Sequence, residues 1–395
     1  MKQLFLMTIV CALLTACSQD RITIRVQNDT SLDRENEIIE IPWSDIQAKL
    51  ALTDTDAVIV KNAAGIQVAY QLIFAGNAVP QQLIFPVNVK AGTWAEYSIT
   101  KGQPESFTTK AYGRYVPERR DDFAWENDKI AFRMYGPALL PIDGPSNGID
   151  VWVKKTENLI IDKWYKDDLA GIASYHIDHG EGVDCYKVGR SLGAGGMAPF
   201  VNDSLWLGQN YLTQRVLDNG PLRISFELTY PALTVARDTA IIETKLISLD
   251  AGSHFSKIVG SYENISATMP VAAGIILKQA DGRPVNTLEE ADSNFTPVLD
   301  IQRGFITYAE KGDRARPEHD NGIVHTAVVF PKTLKDAKLA QRHVLAITDY
   351  QPGENLIYYT GGGWSKAGFP TEQAWVNYIS EFAEKLRNPL KVTIK

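Results

Sequence analysis

The sequence predicts an all-β protein, a large antiparallel β-sandwich closed by a C-terminal helix, and three observations carry that reading. Runs of alternating apolar and polar residues recur along the chain, and Gly, Pro and Asn/Asp punctuate them at the spacing of an antiparallel sandwich. No alternation of strand with helix points to a parallel sheet. One long helical stripe stands near the end.

The first residues, "MKQLFLMTIVCALLTACSQD", set a lysine before an apolar stretch over residues 4–14, too short to span a bilayer as a helix. Leu14, Thr15 and Ala16 then precede Cys17 in the manner of a bacterial lipobox. Residues 1–16 are therefore expected to be a signal peptide, with Cys17 lipidated after cleavage. That makes the chain an exported lipoprotein, periplasmic or outer-membrane anchored, with the membrane as a partner.

Residues 17–110 are expected to form a small β unit. "RITIRVQND" alternates with period two and ends in a turn; "PWSDIQAKLA" allows one or two helical turns. "AVIVKNAAGIQVAYQLIF" reads as two strands about Asn-Ala-Ala-Gly, and "QQLIFPVNV" and "WAEYSIT" follow. Residues 111–395 are expected to form the main sandwich and to carry the site. Its strands are expected at 130–135, 149–154, 222–230, 239–249, 255–262, 272–279, 305–309, 323–330, 342–349 and 356–361. "ENLIIDKWYKDD" reads as a short helix. "PTEQAWVNYISEFAEKLRN" carries Ala374, Trp375, Tyr378, Ile379, Phe382 and Leu386 on one stripe after a proline start, which predicts the C-terminal helix. "NPLKVTIK" is a final strand.

The chain has 3 cysteines. Cys11 leaves with the signal and Cys17 carries lipid, so Cys185 has no intramolecular partner. A net charge of −7 argues against a nucleic-acid partner. The 8 tryptophans and 16 tyrosines can stack on sugars or fill a core.

Chemistry concentrates in "SYHIDHGEGVDCYKVGRSLGAGG". Asp178, Gly180, Glu181 and Gly182 suit neither strand nor helix, so the stretch reads as a loop, where catalytic groups usually sit. His176 and His179 share a face only on a helical turn, where they and Glu181 or Asp184 could hold a divalent metal; no established zinc spacing is present. The metal-free alternative needs no cofactor. His176 or His179 removes a proton beside a substrate carboxylate, Tyr175 or Tyr186 protonates the leaving oxygen, and Arg133, Lys187 or Arg190 neutralises the carboxylate. The bland alternative is a turn whose charges hold one another. "GRSLGAGGM" can bring backbone close to a ligand, but it lacks the lysine and hydroxyl spacing of a phosphate loop.

A second cluster lies in "YGRYVPERRDDFAWENDKIAFRMYG". Arg114, Arg119, Arg120 and Arg133 can fork onto a carboxylate or sulfate, Trp125 can offer a stacking face, and Glu126 and Asp128 can meet sugar hydroxyls. Surface ion pairs on a strand edge explain the same residues. His254, His319, His325 and His343 are scattered and read as structural, with His254 or His325 able to complete the first site.

"DDFAWENDKIAFRMYGPAL", "NGIDVWVKK" and the histidine-rich stretch resemble the family known as domain of unknown function four-eight-six-one, secreted proteins and lipoproteins of glycan-degrading bacteria. The resemblance implies an acidic, uronate-bearing oligosaccharide as partner and a galactose-mutarotase-like super-sandwich as fold. The leading expectation is a carbon–oxygen lyase or dehydratase working by proton abstraction at C5 and β-elimination. Two rivals stand beside it: a glycoside hydrolase pairing carboxylates among Asp178, Glu181, Asp184 and Glu126, and a non-catalytic glycan binder using Trp125 and Trp206.

Overall fold

The structure, a computed structural model, describes residues 20–53, 56–313 and 318–395. The expected signal peptide and Cys17 lie outside the described residues. None of the described helices is long and apolar enough to cross a membrane.

The main body is a layered antiparallel sandwich ending in a helix, as the residue pattern predicts. One layer is a long sheet running Thr213–Asn219, Arg223–Thr229, Asp238–Asp250, Phe255–Glu263, Leu356–Trp364, Ile323–Val329, Phe305–Lys311 and Val298–Asp300. The other layer is two five-stranded sheets side by side. The first contains Ala111–Val116, Asp122–Asn127, Ile130–Met134, Asp150–Lys154 and Gly182–Val183; the second is centred on Ala194–Val201, Met269–Ile276 and His343–Tyr350. A parallel bridge between Ile149 and Gly193 stitches the two together. Gly193 sits there at φ +61°, and a Cβ would collide with the Ile149 carbonyl, so only glycine fits the seam.

Rings fill the space between the layers. Trp125 stacks on Phe132 at 5.3 Å and Phe123 on Phe226 at 4.0 Å. Each large apolar side chain so buried contributes about 1.5–3 kcal/mol. The helix Glu372–Arg387 covers the outer face of the long sheet, burying Trp375, Ile379 and Ala383, and Thr371 caps it by accepting a hydrogen bond from the Ala374 amide.

The N-terminal unit has its own core, made by Ile22–Gln27, Trp94–Lys101, Val58–Asn62, Arg34–Pro42, Gln82–Val89 and the helix Trp43–Leu50. The last strand, Lys391–Ile394, returns to pair with Ile22–Gln27. The two ends of the described chain are thereby tied into one sheet.

Strands such as Thr213–Asn219 and Asp336–Ala340 go beyond the sequence reading, and two further departures bear on the site and the core. Arg34–Pro42 is a strand although its "RENEIIEIP" shows no clean alternation. The glycines of "GAGGM" begin the buried strand Ala194–Val201 and do not approach a surface hollow. A Cβ at Gly195 would collide with Thr360 of the facing sheet, which accounts for glycine without a ligand.

Candidate active site

The stretch 174–190 links the helix Ile161–Leu169 to the strand Ala194–Val201. Its middle, Gly182–Val183, pairs with Val153 and Lys154 at the edge of the first five-stranded sheet. Asp178 accepts hydrogen bonds from the Gly180 and Gly182 amides and meets Lys155 at 2.7 Å. Glu181 meets Lys163 at 2.5 Å and accepts from the Trp164 indole at 3.3 Å. These two carboxylates build the turn.

Tyr175 is a pillar. It is 3% exposed, stacks on Trp152 at 5.1 Å, and its hydroxyl accepts from Arg119 Nε at 3.1 Å and Arg133 Nη1 at 3.2 Å. Its hydroxyl is thus engaged by two arginines, and Tyr175 does not line the hollow beside His176, so its role as catalytic acid fails on position.

His176 follows, with its imidazole 47% exposed. Its Nδ1 lies 3.1 Å from the Asp184 carbonyl oxygen and 3.5 Å from Asp184 Oδ2. With Nδ1–H donating to Asp184, Nε2 keeps its lone pair for a substrate proton. Asp184 in turn accepts from Arg133 Nη2 at 2.9 Å. Burial, and then the charge of nearby Asp150, push the Asp184 carboxyl up to about 7. Burial likewise lifts Asp122 to about 6.

Arg133 is saturated. It donates to Asp150 Oδ2 from Nε at 2.9 Å and from Nη2 at 2.6 Å, besides its bonds to Asp184 and Tyr175. It orders the wall of the site and has no free edge to grip a substrate carboxylate.

An open hollow of about 230 Å³ lies beside His176, lined by Arg133, Tyr135, Asp184, Tyr186 and Lys187, with Pro284 and Asp313 opposite. Tyr186 is 3% exposed, and its buried hydroxyl has no hydrogen-bond partner among the described residues. Lys278 Nζ sits 3.6 Å from the centre of its ring and donates to Glu310 at 2.9 Å and to the Lys187 carbonyl at 2.7 Å. Burial, and next the charge of Glu310, hold the Tyr186 phenol well above its ordinary range, so it stays protonated. Lys187 is half exposed and reaches Asp313 at 3.1 Å.

The remaining residues singled out in the sequence lie elsewhere. His179 points away into a separate depression of about 30 Å³ with Lys163, Trp164 and Glu181, and its Nε2 bonds the Ser174 carbonyl at 3.1 Å. His176, His179 and Glu181 thus do not converge. Among the described residues, no group of three His, Cys, Asp or Glu is placed to hold a metal. Trp125 is 0% exposed and donates to Ser256 Oγ in the sandwich core, so it offers no stacking face. Glu126 is 0% exposed, paired with Lys154 at 2.7 Å, and meets no solvent sugar. Arg114 is held by Asp162 and Glu118, both at 2.6 Å, outside the hollow. Arg190 is exposed but lies off the hollow, its carbonyl accepting from Arg342. His254 and His325 lie under the C-terminal helix against Trp375 and cannot complete the site.

Sequence reasoning missed Tyr135, Asp150, Lys278, Glu310 and Asp313. Asp150 in "GIDVWV", Lys278 in "GIILKQ" and Glu310 in "ITYAEK" each break or bound an apolar run in the sequence. That interruption was the available signal, because a charge there needs a buried partner.

Fold and site together define an all-β sandwich protein whose edge carries a histidine-, tyrosine- and carboxylate-lined hollow. Residues 26–392 match the family described as Domain of unknown function (DUF4861), and the chain belongs to that family. It is 32% identical over 421 residues to "Uncharacterized protein P7" of Formosa agariphila, each chain being covered in full. Among solved structures it is similar to an alpha-mannosidase from Enterococcus faecalis, at 11% identity and a TM-score of 0.49. It is also similar to a protein in the glycosyl hydrolase family 38 from the same organism, at 12% identity and a TM-score of 0.50. Both alignments cover 96% of this chain but only 46% and 48% of the others, so it spans about half their length. At 12% identity the second likeness shows a shared fold alone.

Proposed function

We propose that the chain is a carbohydrate-active enzyme that breaks a carbon–oxygen bond next to a uronate by β-elimination. One observation carries this reading: His176, Tyr186 and Lys187 line one open hollow, and the Tyr186 hydroxyl, buried in its wall, has no hydrogen-bond partner among the described residues. His176 Nε2 takes the proton at C5, and the C5–H electron pair becomes the C4–C5 double bond as the C4–O bond breaks. The departing oxygen takes the Tyr186 proton, for which the buried hydroxyl must turn toward the hollow. Lys187 steadies the uronate while negative charge builds on it, and Asp184 steadies the imidazolium.

Carbohydrate as the substrate class is supported by the family resemblance in the sequence and by the occurrence of this fold in a protein classed with glycosyl hydrolase family 38. Hydrolysis by paired carboxylates is less well supported. Of Asp178, Glu181, Asp184 and Glu126, only Asp184 lines the hollow. Incubation with uronate oligosaccharides should raise the ultraviolet absorbance of a 4,5-unsaturated uronate. His176→Ala should lower the rate by at least about 10²-fold, and His179→Ala should leave it within about twofold. New reducing ends without ultraviolet absorbance would refute elimination.

We further propose that a lipid on Cys17 holds this activity at a membrane. Cys17→Ala should move the protein from the membrane fraction to the soluble one; an unchanged distribution would sink the anchor.

A further inference from the structure

A second cavity, remote from His176, lies where the N-terminal unit, the outer face of the long sheet and the C-terminal helix meet. Its volume is about 360 Å³, within the roughly 300–1,000 Å³ of ligand clefts, which favour such junctions between units. Its apolar wall is a ledge of Tyr359, Tyr378 and Phe382, all half-buried, with Phe382 stacked on Phe255 at 4.4 Å and 14°.

The cleft is braced. Arg223 donates to Glu40 of the N-terminal unit at 2.6 Å and to both oxygens of Asp250 in the long sheet, at 2.5 and 2.9 Å. Arg34, wholly buried, spans Glu37 and the Asn388 carbonyl at the end of the C-terminal helix. Two guanidinium groups therefore fix the walls relative to each other, and little ordering is left for a ligand to impose.

Charge decides what fits. Glu40 and Asp250 share the single charge of Arg223, with the Lys257 charge also acting on Glu40; Glu37 pairs with Arg34, and Glu35 faces Lys90 on the rim at 3.6 Å. Lys257 and Lys385 line the cleft and have no ion-pair or hydrogen-bond partner among the described residues. These two ammonium groups share the cleft with the aromatic ledge, and the pairing suits a ring with one apolar face and an anionic substituent.

We infer that this cleft is a second saccharide-binding site, separate from the reactive hollow. A sugar ring stacks on Tyr359, Tyr378 and Phe382, and its carboxylate meets Lys257 and Lys385. The ligand class rests on the carbohydrate reading above; the residues do not overlap with it.

The test is calorimetric titration of full-length His176→Ala protein, which should not turn over substrate, with a galacturonate hexasaccharide. Two binding events are expected. Adding Ser248→Trp, which places a ring in the cleft, or Lys257→Glu with Lys385→Glu, should weaken one event by at least about tenfold. The melting temperature should stay unchanged. Adding Lys187→Glu should weaken only the other. Loss of the Lys187-sensitive event alone would count against the hollow and leave the cleft standing. Binding indifferent to every cleft substitution would overturn the inference. So would equal affinity for neutral maltohexaose, or a cleft that takes decanoate but no uronate.

Discussion

At the scale of single residues, burial separates what a charge can do from what its type suggests. Glu126 has the chemistry of a sugar-binding carboxylate but the position of a structural one. Its Oε2 meets Lys154, and its Oε1 accepts the Ile160 and Ile161 amides at 2.7 and 2.8 Å, closing the start of the helix Ile161–Leu169. Burial pushes Glu126 up and Lys154 down, and each partner opposes the other's shift. Removing one partner strands the other in a dry site, which typically costs about 3–5 kcal/mol. Glu126→Ala should therefore lower stability in urea unfolding by about that amount, with Glu126→Gln costing less because an acceptor for the helix amides survives. Saccharide binding by the folded fraction should not change. A loss of binding without a loss of stability would return Glu126 to the surface role its sequence context suggests.

At the scale of elements, the hollow exists because one glycine lets a loop meet a sheet edge. Gly182 adopts φ +134°, and a Cβ there would strike the Val153 carbonyl with which its strand pairs. Gly182→Ala should detach Gly182–Val183 from the edge, lower the melting temperature and abolish activity. Gly180→Ala, whose Cβ would meet open space, should do less on both counts, though its φ of +103° still carries strain. Equal effects of the two substitutions would mean the edge pairing is dispensable. The strands themselves were legible because one-sided burial writes alternation into sequence, as in Asp238–Asp250 with its alternately buried and half-buried residues. Asp122–Asn127 and Ile130–Met134 are buried on both faces, so Trp125, Glu126 and Arg133 gave no sign of depth. The loop was legible as a place of chemistry from its composition. Which histidine faces the hollow depends on a turn set by Asp178 and the pairing of Gly182, and no periodicity encodes that.

Across the whole molecule, two opposed sets of buried groups govern stability against pH. Burial holds His254, His325 and His343 down at about 4, and burial lifts Asp184 and Glu310 to about 7 and Asp122 to about 6. Between about pH 4 and 6.5 the unfolded chain binds protons on these histidines that the folded chain refuses, so their stabilisation is lost as pH falls. Over nearly the same range the folded chain keeps protons on the carboxyls that the unfolded chain releases, so theirs is lost as pH rises. Three histidines stand against these three carboxyls and Glu126, which burial also raises, so the slopes largely offset and stability should fall only gently as pH rises across that window. Single substitutions should unbalance it by up to about 1.4 kcal/mol per pH unit. His343→Gln removes one histidine's contribution, so its stability relative to the parent should fall as pH rises from about 4 to 6.5. Glu310→Gln removes a carboxyl, keeps an acceptor for Lys278, and should tilt the curve the other way. Urea unfolding of the three proteins across that range reads the slopes directly, whatever constant offset each substitution brings. Parallel curves would show that these buried groups do not set the pH response.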